Sequence, residues 1–133
     1  MLNYPVLLLA AIAAFAFGAA YYGVLGEAWR AAVGPLADAR PRASALIIAF
    51  IAELVMAFML AGVLLHLRQG GLALGLRTGL ISAALLWLGF VATSLVVRDA
   101  FQGGRFLLTL IDGGHWLGVM LIEGAILAAW GVA

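Results

Sequence analysis

The chain has 133 residues, of which 67% are hydrophobic and only 10% charged, with a formal net charge of +1 and no cysteine. A soluble domain carries about 25% charged residues, so this composition excludes one. Lacking cysteine, the chain also has no disulfides, thiolate metal sites, iron–sulfur clusters or cysteine nucleophiles. Its seven Lys and Arg positions are all Arg, too few to make a polybasic patch for nucleic acid or anionic lipid.

Four apolar stretches, about 2–26, 44–66, 78–97 and 114–133, are each long enough to cross roughly 30 Å of hydrocarbon as a helix. They are apolar on all sides rather than alternating, which argues for helices over a barrel. The expected architecture is an all-α integral membrane protein, a four-transmembrane-helix bundle forming a single domain.

The first stretch carries no charge before Glu27, and its full length reads as a retained span rather than a signal peptide. Pro5 suits its first turn, and Ala10, Ala14 and Gly18 form a small-residue seam that permits close helix contact, within the protomer or between copies. Pro35 and Pro41 break the first connection, where Trp29 beside Arg30 suits the interface. The second span contains Glu53 near its middle and ends at His66 and Arg68, which read as interfacial anchors. A short Gly-rich connection leads to the third span, where Trp87 reads as core packing. After a third connection, segment 106–113 either extends the last helix backward or forms a separate interfacial turn broken at Gly113-Gly114. The last span holds Glu123, with His115 near its start and a second small-residue pair, Gly114 and Gly118.

The first and third connections hold Arg30, Arg40, Arg42, Arg98 and Arg105, against Arg68 and Arg77 on the other side. The positive-inside rule then puts both termini outside the cytoplasm, in what reads as a bacterial inner membrane. An offset of 70 residues lays Ile51-Ala-Glu53 on Leu121-Ile-Glu123, as a duplicated hairpin would. Little but the Glu is shared, and two apolar helices aligning by composition account for it better.

The intramembrane polar residues are the candidate site. A charged carboxylate at a helix centre costs on the order of 3 kcal/mol on insertion scales, so Glu53 and Glu123 are expected to face protein or water. Asp112 and Glu123 are eleven residues apart, about 20° in direction on a helix, and His115 is one turn from Asp112. If all three share one continuous helix they form one polar stripe, facing Glu53 or a second subunit and readable as a proton relay or as a carboxylate–imidazole metal site. Asp-x-x-His is similar to the Glu-x-x-His of di-metal bundles, but those need two such motifs and further carboxylates. For Asp112 and His115 the plainer reading is interfacial capping at the start of the last span.

The string from Phe17 to Arg30 resembles a bacterial membrane family known only as domain of unknown function 1761. The resemblance rests on Gly18, the pair Tyr21-Tyr22, Gly26 and Trp29, and on a tail of Ile111-Asp112-x-Gly114, Gly124-Ala-Ile-Leu and Trp130. Tyr21 and Leu25 depart from the family's usual Trp and Phe, and the exit of the third span matches poorly. The resemblance implies the fold and no activity. It argues against small multidrug-resistance transporters, whose essential Glu lies in the first helix.

Three functions are consistent with these residues. The first is proton- or ion-linked translocation or small-molecule binding through Glu53 and Glu123, in a homo-oligomer within the lipid bilayer. The second is an assembly subunit without chemistry, suggested by the small-residue seams. The third is a metal-binding membrane enzyme built on Asp112, His115 and Glu123. The sequence names no cofactor and contains no nucleophile–base pair or phosphate loop.

Overall fold

A computed structural model describes residues 1–37 and 40–133; Asp38 and Ala39 of the first connection lie outside the described residues. The chain forms α1 (Tyr4–Val33), α2 (Ala43–Gln69), α3 (Leu76–Leu86), a π-helical turn (Trp87–Ala92), α4 (Thr93–Gln102) and α5 (Phe106–Trp130), with no strand among the described residues. α3, the π turn and α4 run on as one span, so four helices are long and apolar enough to cross a membrane.

The helices outlast their apolar stretches. α1 continues past Glu27 to Val33, the third span reaches Gln102, and Phe106 to Gly113 belongs to α5. Hydropathy reports where a side chain prefers to sit, whereas a helix ends where its backbone is turned aside. α1 stops at Gly34, whose φ of 92° and following Pro35 end the ladder, and α4 stops at Gly103, which is left-handed at φ 66°. The start of α1 agrees with its sequence, as Asn3 accepts a bond from the Val6 N–H and Pro5 lies in the first turn. The π turn had no signal in the hydrophobic pattern. Beside it the Thr93 and Ser94 hydroxyls donate back to the Gly89 and Phe90 carbonyls, satisfying themselves within the span.

α5 is the hub. It packs extensively on α1 and α3 and less on α2, whereas α3 barely touches α2. Two hairpins related by a two-fold axis would make the α1–α5 and α2–α3 contacts equivalent, and they are not. α5 is the most buried of the four spans and the third span the least. Outward faces carry Ile47, Ile51, Val55, Met59, Leu85 and Leu88, the apolar surface that a bilayer solvates.

Small residues set the spacing. Ala10, Ala14 and Gly18 are buried, so the seam of α1 is used inside the protomer. On α5 a Cβ added at Gly124 would stand 2.6 Å from the Gly79 carbonyl oxygen, so these two backbones are in direct contact. Below this level the core is apolar, built from Leu7, Leu60, Leu64, Leu127 and Val132, and the Asn3 N–H bonds the Val132 carbonyl at 3.0 Å to close that end.

Gly79→Ala should therefore cost about 1–3 kcal/mol, the range for overpacking a filled contact, read as a lowered unfolding midpoint in detergent. Gly62→Ala, where nothing lies within 4 Å, should change stability by less than about 0.5 kcal/mol.

Candidate functional site

Gly18, Tyr21 and Tyr22 follow the three- and four-residue spacing of one helix face, and Trp29, eleven residues beyond Gly18, returns to within about 20° of it. This face of α1 lies against the first three turns of α5. The Tyr21 hydroxyl donates to the Ile111 carbonyl at 2.6 Å, and the Tyr22 hydroxyl donates to Asp112 Oδ1 at 2.6 Å. Trp29 Nε1 donates to the same oxygen at 3.1 Å. Glycines on α5 make room for these rings: a Cβ at Gly114 would stand 2.8 Å from the Tyr21 hydroxyl, and one at Gly118 would collide with the Phe17 ring.

Asp112 is thus no cap. α5 starts at Phe106, and Asp112 sits in its second turn as the shared acceptor of α1, with Arg98 Nη2 of α4 reaching its Oδ2 at 3.5 Å. Arg98 Nε also donates to Asp99 Oδ1 at 2.7 Å, and the Thr109 hydroxyl donates to Asp99 Oδ2 at 2.7 Å. Asp99 and Thr109 are buried. A network of polar side chains therefore joins α1, α4 and α5 at the end of the bundle that carries the first and third connections.

One turn deeper, His115 is buried among the rings of Phe17, Tyr21, Tyr22 and Trp116, with centroids 4.7–6.3 Å away. Across from it, α2 delivers Glu53. Both His115 Nε2 and Glu53 Oε1 lie within 4 Å of the point where a Gly18 Cβ would stand, at 2.8 and 3.9 Å. Gly18 is therefore the gap through which an imidazole from α5 and a carboxyl from α2 approach each other. Glu123 lies about 12 Å further along α5, fully buried and within electrostatic reach of Glu53.

Four polar atoms here are buried without a hydrogen-bond partner among the described residues: Glu53 Oε2, His115 Nδ1 and both carboxyl oxygens of Glu123. Asp112, by contrast, is well bonded. The stripe read from the sequence thus divides into a bonded outer residue and two unpartnered inner ones, joined by Glu53 from another helix. Among the described residues no three His, Asp or Glu side chains are gathered closely enough to hold a metal ion.

The model of a family described as protein of unknown function (DUF1761) matches residues 6–128, nearly the whole chain. The chain belongs to that family. Searches of curated proteins and of solved structures find no match. Of the family-motif residues noted in the sequence, Gly18, Tyr21, Tyr22 and Trp29 converge on Asp112 and His115, while Gly26 stands apart, with only the Arg30 guanidinium near it.

Sequence reasoning missed Arg98, Asp99 and Thr109, because charges at a span end were read as topology signals. It also missed a bond from Trp87, whose indole Nε1 donates to the Gly113 carbonyl at 2.9 Å. The adjacent Arg98-Asp99 pair, with a Thr ten residues on, was the available signal. His66 is exposed, as an anchor would be.

Losing Tyr22→Phe removes one bond to a carboxylate and should cost about 1.5 kcal/mol. Asp112→Ala strands three donors together and should cost about 3 kcal/mol or more. Thermal unfolding of both variants in the same detergent gives the comparison.

Proposed function

We propose that the protein is proton-linked, with Glu53, His115 and Glu123 as the exchanging groups. The observation carrying this reading is the set of unpartnered buried atoms on these three side chains. Leaving a buried polar atom unbonded costs about 1–3 kcal/mol, and two carboxyls in a membrane interior are dearer still than apolar residues of the same size. A group that must bind and release a proton needs an open lone pair.

Proton chemistry fits better than transfer of a larger ion. An ion would need several oxygen ligands and a cavity around it. Two surface hollows, of about 490 and 300 Å³, lie elsewhere, along Thr93, Ser94, Val97 and Arg98 and between Trp87, Phe106 and Leu117. The assembly-subunit reading loses the feature that suggested it, since the small-residue seams pack within the protomer.

The polar residues are graded along the bundle, from Asp112 near one end to His115, Glu53 and then Glu123. Beyond Glu123 the core is apolar. Access to the site therefore comes from the face bearing the first and third connections. By the distribution of Arg that face is cytoplasmic, in a bacterial cell membrane with both termini on the opposite side. Passage of protons beyond Glu123 would run between copies of the chain, since the protomer's far end is closed, and a homo-oligomer is the assembly this implies.

In nanodiscs, infrared difference spectra over a pH titration should show a protonated-carboxyl band that changes with pH and is reduced in both Glu53→Gln and Glu123→Gln. If no carboxyl band titrates while the protein remains folded, the reading fails. In vesicles with the pH of each face set separately, labelling of Glu123 by dicyclohexylcarbodiimide, read as a mass adduct, should follow the pH of the face bearing the first and third connections. Dependence on the opposite face would overturn the direction of access.

A further inference from the structure

Asp112 lies one turn from His115, nearer the start of α5, and the contacts around Asp112 are unequal. Its Oδ1 is filled twice, by the Tyr22 hydroxyl at 2.6 Å and by Trp29 Nε1 at 3.1 Å. Its Oδ2 meets Arg98 Nη2 at 3.5 Å, the outer limit of a hydrogen bond. Arg98 is held firmly elsewhere: Nε sits 2.7 Å from Asp99 Oδ1, and Asp99 is buried and fixed to α5 by the Thr109 hydroxyl at 2.7 Å. The Arg98 side chain is 42% exposed and that of Asp112 15%. One end of the guanidinium is thus anchored while its other end rests loosely over the second carboxylate oxygen of Asp112.

We infer that Arg98 is the gate of the proton site, its guanidinium covering Asp112 Oδ2 and swinging on the Asp99 anchor to admit protons. This rests on the proton-linked reading above. The titratable groups around Asp112 are Tyr21 and Tyr22 from α1, Arg98 from α4 and His115 from α5; Glu53 from α2 lies behind His115. With the guanidinium aside, hydronium transfers a proton to Asp112 Oδ2, forming the O–H bond and releasing water. The neutral acid passes that proton to the unpartnered Nδ1 of His115, one turn along the same helix, making an imidazolium and restoring the Asp112 carboxylate. The imidazolium releases its Nε2 proton toward Glu53, which becomes the neutral acid, and the imidazole returns to its neutral form. Net, one proton moves from water to Glu53, and no other reactant is used.

The test is the rate at which the Glu53 and Glu123 carboxyl band responds to a rapid pH jump, in nanodiscs. Arg98→Gln removes the charged cover and should speed the response about tenfold, the factor equivalent to one charge-assisted hydrogen bond. Trp87→Phe is the control: it loses the bond to the Gly113 carbonyl, and so loosens the third span against α5 without removing any of the bonds to the Asp112 carboxylate given above. It should keep the wild-type rate. An unchanged rate in Arg98→Gln overturns the gate, and so does an equal acceleration in Trp87→Phe, which would mean general loosening. Absence of any titrating carboxyl band in the wild type would instead overturn the proton-linked reading itself.

Discussion

Glycine on α5 decides how near the other helices come, and the rest of the structure depends on that distance. Gly124 lets the α3 backbone touch α5 at Gly79, Gly118 accepts the Phe17 ring, and Gly114 leaves room for the Tyr21 hydroxyl. In a bilayer no hydrophobic force pulls apolar helices together, so close dispersion contact and interhelical hydrogen bonds must do it. Bare helix surface provides both. A ring resting over a glycine brings its polar tip to a main-chain carbonyl, as Tyr21 does at Ile111 and Trp87 at Gly113.

The same geometry explains why the site is assembled from three helices. Gly18 is the counterpart on α1: without a side chain there, the imidazole of α5 and the carboxyl of α2 share one space. A methyl at that point would stand where His115 now lies. The aromatic face of α1 then encloses the imidazole, and the bonded Asp112 network closes the end. Two polar layers of different character follow one another along this axis. The outer polar layer is well satisfied and ties helices together, whereas the inner groups remain unpartnered.

Composition and helix-length arithmetic made the membrane class and the four helices legible, because a continuous apolar run has few other uses. The family was legible too, from Gly18, the Tyr21-Tyr22 pair and Trp29. Helix ends were not, since Glu27, Arg30, Arg98 and Asp99 interrupt hydropathy without interrupting the backbone ladder. The stripe of Asp112, His115 and Glu123 followed from helical spacing. Its division did not, because spacing on one helix says nothing about which donors other helices bring. That Tyr22, Trp29 and Arg98 all reach Asp112 is information held in the packing of distant segments. Periodicity of 3.6 cannot register the π turn at Trp87–Ala92 either.

That the packing hub is the fourth of the four helices has a consequence for biogenesis. A chain is made from its N-terminus, so α1 and α2 can already pack on each other while the third span emerges before α5, its main neighbour. Until α5 arrives, the third span has almost no protein neighbour, and Glu53 has neither His115 nor Glu123 near it. The maturing chain is an α1–α2 pair with a third span still unpacked, and it becomes the full bundle when α5 docks. Quality-control proteases that survey the bilayer would meet this exposed intermediate, and the interval before α5 docks is when the protein is most vulnerable to them.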